Sequence, residues 1–294
     1  MLYATSRERT GTSDPRRFYG PRTGTRDVGV ARVRLPHDPR MGERETGEPV
    51  QRSTLVAVEP GPPPSLEGQD VLVFVHGFNV SFPSAARRAA RLAYDLDFEG
   101  RVAAFSWPSA ATYGGDEVRV LRAAVVLREW LDELGERADT VHIVAHAMGA
   151  RAVVHALRAL VIDETPSRFG EVVLVVPDID ADEFVDEIAP NIARFADRVT
   201  VYASANARVL HHDLEAEALG DTENGLALSE HFETVDASAV GTNLMGHIYG
   251  DERRSVVSDL ANLLAGRERE GLLEQRIGRT VYWTMEGPPI RGTL

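Results

Sequence analysis

Three short segments carry residue types that could do chemistry. The first, Val75-His76-Gly77-Phe78-Asn79, leaves an apolar run through a His-Gly turn. A glycine there lets the backbone bend sharply, and the amides that follow can point at an anion. The second, Val144-Ala145-His146-Ala147-Met148-Gly149-Ala150, is a small-x-x-x-Gly turn from a strand-like run into a helical one. The third, Met245-Gly246-His247-Ile248-Tyr249, sets a histidine in a loop just before a helix. The chemistry open to such residues is stabilisation of negative charge by backbone amides and proton transfer by an imidazole.

Other conspicuous residues read more plainly. His142 sits in a buried-type strand and His155 in the helix after it, as core or surface histidines do. His211-His212-Asp213 suggests a metal, but adjacent side chains on a helix point about 100° apart, so no metal site is expected. The acidic run Asp178-Ile179-Asp180-Ala181-Asp182-Glu183 lacks the glycine and the terminal glutamate of a calcium loop. Carboxylates at a helix N-terminus explain it more simply. The hydroxyls of Ser106 and Ser204 lie near strand ends, but neither occupies a sharp strand-to-helix elbow.

Such groups need a rigid frame. The chain has 294 residues, 43% of them hydrophobic and 26% charged, which bounds the answer at one or two domains. With no cysteine, disulfides, thiolate metal sites and a thiol nucleophile are excluded. No lysine occurs, which excludes a Schiff base and a phosphate-loop lysine. A net charge of −13, from 45 acids against 32 bases, argues against nucleic acid or an anionic membrane face as partner. No apolar stretch approaches the ~18 residues of a membrane span, and MLYATSRERT has no signal-like apolar core, so a cytoplasmic location is expected. Oligomeric state is not legible.

Residues 1–68 read as a loop-rich extension with strands at Val28–Leu35 and Leu55–Val58, broken by Gly61-Pro62-Pro63-Pro64. From residue 69 to 294 apolar runs alternate with helix-period segments. Strands are expected at Val71–Val75, Val102–Ser106, Val141–Ala145, Val172–Val176 and Val199–Ala203, and weaker ones at Phe232–Val235 and Thr280–Trp283. Helices are expected at Pro83–Asp97, Asp116–Glu136, Ala150–Ile162, Asp182–Phe195, Arg208–Ala218 and Asp251–Leu264. In the second of these, Val118, Leu121, Val125, Leu127, Trp130, Leu131 and Leu134 are spaced as one buried face. Strands apolar throughout, separated by helices, imply a mostly parallel central sheet with helices on both faces, one structural domain overall. In such sheets ligands bind beyond the carboxyl ends of the strands.

The segments VLVFVHGFNVSF, AAFSWPS, VHIVAHAMGARAVVHAL, VVPDIDADEF, VTVYASANARVL and VGTNLMGHIY, with the opening Tyr3-Ala4-Thr5, resemble an α/β-hydrolase. They are similar, closely, to a bacterial family of uncharacterised proteins in the esterase/lipase superfamily. The resemblance implies the α/β-hydrolase fold, hydrolysis of a carboxylic ester or related acyl bond, and no cofactor. The family pattern has a nucleophilic serine where this chain has Ala147, and an aspartate where it has Ala207. The family's base falls on His247. An oxyanion hole would comprise the N–H of Met148 and one from the Gly77-Phe78 turn. His76, Asn79, Trp107, His146 and Tyr249 fall near the pocket by the same resemblance. His76 and His146 read there as structural turn residues, and Trp107 as pocket wall or core.

A serine hydrolase needs an oxygen to attack, a base to take its proton and a carboxylate to hold the base. Ala147 and Ala207 offer methyls instead. The expectation is therefore a degenerate triad, a pseudoenzyme without serine-hydrolase activity that binds a small ligand, apolar or ester-like, or acts without a covalent intermediate. Two alternatives stand beside it. One is that this is an inactivated form of an active esterase. The other is a rewired site in which His247 is a general base oriented by Asp178 or Asp180.

Overall fold

In the computed structural model of the chain, residues 1–35, 53–109, 112–162, 169–205, 218–222, 225–240, 251–269 and 271–285 are described, 251–255 by their backbone alone. Short apolar runs supply the centre of the sheet. Strands β1 (Leu2–Arg9), β2 (Tyr19–Arg34), β3 (Thr54–Pro60), β4 (Val71–Val75), β5 (Arg101–Ser106), β6 (Val141–His146), β7 (Phe169–Val175), β8 (Ala196–Ala203), β9 (Glu233–Asp236), β10 (Leu272–Ile277) and β11 (Thr280–Met285) form one sheet. Its order is β10-β11-β9-β8-β7-β6-β4-β5-β1-β2-β3. Pairing is parallel from β11 through β9, β8, β7, β6, β4 and β5 to β1, and antiparallel only for β1–β2, β2–β3 and β10–β11.

Each central strand is buried on both sides because successive side chains face opposite helical layers. Val71, Val73 and Val75 face α2 (Tyr113–Gly135) and α3 (Gly149–Ile162), with Leu127, Trp130, Leu131, Val153 and Leu157 in one cluster. Leu72 and Phe74 face α1 (Phe82–Asp95) and α6 (Asp251–Leu264), with Leu92, Val256 and Leu260 in the other. No described helix is long and apolar enough to cross a membrane.

Four expectations need correction. The opening of the chain is not loop: Leu2–Arg7 are buried as β1, which inserts parallel to β5 in the register Leu2↔Ala103 to Thr5↔Ser106. Its Tyr-Ala-Thr-Ser-Arg composition lacks the β-branched run that marks a strand. The hairpin partner β10 was likewise unmarked, because its residues are mostly solvent-facing. On α2, Val118, Leu121 and Val125 are exposed, and the sheet takes Val120, Ala123 and Leu127 instead. Apolar residues surround the first half of that helix, so periodicity alone could not choose its face. The helix expected over Asp182–Phe195 is α4 (Ala181–Glu183), a π-turn (Phe184–Ile188) and α5 (Ala189–Ile192). Pro190 has no N–H to continue the ladder, and the Ala189 N–H bonds the Phe184 carbonyl in the wider turn. The helix expected at Arg208–Ala218 lies outside the described residues except for Ala218, which bridges Asp180.

At the N-terminal end of β7 the Glu171 carboxyl is buried, and its Oε2 has no hydrogen-bond partner among the described residues. Burial raises its pKa to about 7, against the pull of Arg198 3.3 Å away. The folded chain thus holds this proton more tightly than the unfolded chain, and stability is lost as pH rises toward 7. Glu171→Gln keeps the shape without the ionisation. Its advantage over the parent should grow by on the order of 1–3 kcal/mol between pH 5 and pH 8. Urea midpoints at both pH values test this, and a constant gap refutes it.

Candidate functional site

The strand β6 ends at His146 and α3 starts at Gly149, so the chain reverses in two residues. Ala147 makes the turn at φ +47°, the left-handed region that a side chain makes costly by roughly 1–2 kcal/mol. Its N–H donates to the Val175 carbonyl (3.0 Å), and its carbonyl accepts from the Ala150 N–H (2.9 Å). Two neighbouring strand ends are strained alike, with Asn79 at φ +53° after β4 and Val176 at φ +47° after β7. Strain of this kind gathers where a chain positions groups for use.

Glycines let the first two turns touch. A Cβ on Gly149 would lie 2.3 Å from the His76 carbonyl oxygen. One on Gly77 would lie 3.0 Å from His146 Nδ1 and 3.1 Å from the Ala147 Cβ. The His-Gly turn and the small-x-x-x-Gly turn therefore meet as one structure. Among the described residues neither the Phe78 nor the Met148 N–H has an acceptor, which leaves both able to serve an anion.

A buried polar chain fixes the first turn. Arg7, 2% exposed, donates to the carbonyls of Val80 (2.6 Å) and Gly20 (3.1 Å) and to Ser106 Oγ (2.9 Å). The Ser106 hydroxyl lies 3.3 Å from His76 Nε2, and His76 Nδ1 donates to the Gly77 carbonyl at 2.8 Å. Trp107 stacks on His76 at 5.2 Å and donates its indole N–H to the His76 carbonyl. The Asn79 N–H donates to Ser109 Oγ (2.6 Å), which donates to buried Asp116 (2.6 Å), itself paired with Arg119. Burial, then the Arg7 charge, holds His76 well below its ordinary pKa. Arg7 is itself pushed down to about 9 by burial, and so stays charged at neutral pH.

The other strand ends are equally engaged. Asp178, fully buried, accepts from Tyr113 (2.5 Å) and Arg151 (3.2 Å), while Arg151 also pairs with Glu117 (2.8 Å). Tyr113 packs against Phe78 at 5.9 Å. Asp180 caps α4 through the Glu183 N–H (2.8 Å). His142 is a satisfied core residue that accepts from the Glu171 N–H, and His155 is on the surface. His146 has no hydrogen-bond partner among the described residues, its Nδ1 is buried, and burial followed by the Arg88 charge lowers its pKa to about 4.

The structure thus brings together His76, Gly77, Phe78, Asn79, Trp107, His146, Ala147, Met148 and Asp178 around two turns. Ala207, His247, Tyr249 and the His211-His212-Asp213 cluster lie outside the described residues. Sequence reading missed Arg7, Asp116, Arg151 and Tyr113. Nothing in the loop-like composition of the opening segment marks Arg7, which only the buried strand β1 reveals. A shallow cleft lined by Asp182, Val185, Asp221 and Leu226 contains none of these turn residues.

A largely parallel sheet with helices on both faces, and a strained strand-to-helix elbow packed on a His-Gly turn, is the architecture of the α/β hydrolases. A family model described as alpha/beta hydrolase of unknown function (DUF900) matches residues 64–266. The chain belongs to that family. Solved structures of similar fold include the putative cell surface hydrolase of Lactobacillus plantarum WCFS1, 11% identical over 68% of this chain and 93% of that one, TM-score 0.43. A hyperthermophilic esterase from the archaeon Pyrobaculum calidifontis is 12% identical over 90% and 83%, TM-score 0.42. Carboxyl esterase 2 from the fungus Tuber melanosporum is 12% identical over 60% and 67%, TM-score 0.34. A search of curated proteins finds no match.

Proposed function

We propose that this α/β hydrolase has lost serine-hydrolase chemistry and binds a small acyl- or ester-like molecule at the elbow. The observation that carries the reading is Ala147. A methyl stands at the strained apex, and among the described residues the two N–H groups beside it have no acceptor. Such a cradle with binding is worth at most ~10³–10⁴-fold over water, and no covalent intermediate can form on a methyl. Ala207, where the family pattern carries the acid, completes the degenerate triad. His247 is retained.

The rewired alternative is less favoured. The Asp178 oxygens are taken by Arg151 and Tyr113, and Asp180 caps a helix, so neither is a spare carboxylate for His247.

A fluorophosphonate probe should leave the protein unlabelled, and labelling of any residue would overturn the proposal. Ala147→Ser combined with Ala207→Asp should restore aryl-ester turnover by on the order of 10³-fold or more. Activity of the parent chain equal to that of the double variant would sink the reading.

A further inference from the structure

One side of the sheet finishes in the hairpin of β11 and β10, and among the described residues no strand lies beyond β10. Both strands come after residue 266, where the family match ends, so this edge lies outside the matched hydrolase core. The hairpin has two unlike faces. Leu272, Trp283 and Met285 share one of them and pack in the same cluster as Val256 and Leu260 of α6. Leu273, Gln275 and Ile277 take the other, opposite Thr284, Tyr282 and Thr280. On that face Leu273 is 47% exposed and Ile277 59%.

Alternate residues of an outer strand also hold their N–H and C=O groups away from the sheet, which makes the edge a template for a further strand. Proline and bulges are the usual means of blunting such an edge. The opposite outer strand, β3, ends in Pro60 and has a register shift against β2. β10 contains no proline, and its register with β11 is unbroken.

The order of side chains along β10 selects its occupant. A second copy related by a two-fold axis at Gln275 would run antiparallel, and every opposed pair would be complementary. Leu273 would meet the second copy's Ile277, Glu274 would meet its Arg276, and Gln275 would meet its own counterpart. An axis at Glu274 or Arg276 would set like charges opposite themselves, which destabilises a cross-strand pair. Within the strand Arg276 Nε already donates to Glu274 at 2.8 Å, and the two-fold would complete that pair as a ring of four alternating charges.

We propose that β10 pairs antiparallel with β10 of a second copy about Gln275, joining two sheets into one across a two-fold dimer. The interface is isologous, so each complementary contact is made twice. The apolar pairs supply contact, and the charge pairs fix the register.

Sedimentation equilibrium of the full chain tests the proposal. Single strands make a small interface, so a monomer–dimer equilibrium with a dissociation constant on the order of 10–100 µM is expected. Glu274→Arg and Arg276→Glu each place like charges opposite and should weaken it by about tenfold or more. Both side chains are exposed, so the fold tolerates the changes. An equimolar mixture of the two variants should dimerise again, because a cationic strand then faces an acidic one. Gln275→Cys, which introduces the chain's only thiol, should cross-link to its counterpart under mild oxidation. A parent chain that stays monomeric at roughly ten times the expected constant overturns the proposal. So do single variants that dimerise as the parent does, or a mixture that stays monomeric.

Discussion

Arg7→Met should destabilise the protein by about 3 kcal/mol or more. Methionine fills similar volume and adapts to irregular space, so the loss is of polar partners and not of packing. Three acceptors would lose their donor: Ser106 Oγ and the Val80 carbonyl in the core, and the half-buried carbonyl of Gly20. Each buried group left unsatisfied costs about 1–3 kcal/mol. Against this stands the relief of no longer burying a guanidinium, which has no carboxylate in contact among the described residues. Removing the donor while its acceptors remain is the costly direction of such a change, so the loss dominates. Urea denaturation measures it. A shift below about 1 kcal/mol would show that the acceptors find other donors and that the turn does not depend on Arg7.

Gly149→Ala should cost about 3 kcal/mol or more, or prevent recovery of soluble protein. Intrinsic helix propensity predicts the opposite, a gain of up to about 1 kcal/mol at a helical glycine. Sterics decide, because the new methyl would stand 2.3 Å from the His76 carbonyl oxygen and 2.9 Å from that of Val75. Both are backbone atoms, and the packed strands behind them do not yield. Gly114→Ala is the matching control. Gly114 lies in α2 with nothing within 4 Å of the added carbon, so that variant should be neutral or slightly stabilised. Equal thermal midpoints for the two variants would refute the close approach of the turns.

The sheet centre was legible because burial on both faces demands an unbroken apolar run, and Val71–Val75 is just that. The outer elements were not. β1 is buried yet built of Tyr, Ala, Thr and Arg, and β10 is exposed, so neither carries the expected pattern. The elbow and the His-Gly turn were legible because backbone reversals demand particular residues at particular places. The network behind them was not, because Arg7, Ser106 and Val80 come from three distant stretches that only the folded sheet unites. The acidic run shows the same divide. Asp180 does what a local reading expects of a helix start, while Asp178 answers to Tyr113 and Arg151 from other helices.

The placement of β1 between β5 and β2 bears on how the molecule is made. Its first register pair joins Leu2 to Ala103. At ~5–20 residues per second of synthesis, that neighbour leaves the ribosome some 5–20 s later. Until then β1 can satisfy one edge through its hairpin with β2, while the other waits open. Newborn chains in that interval are the ones most exposed to chaperone capture or to mispairing with one another.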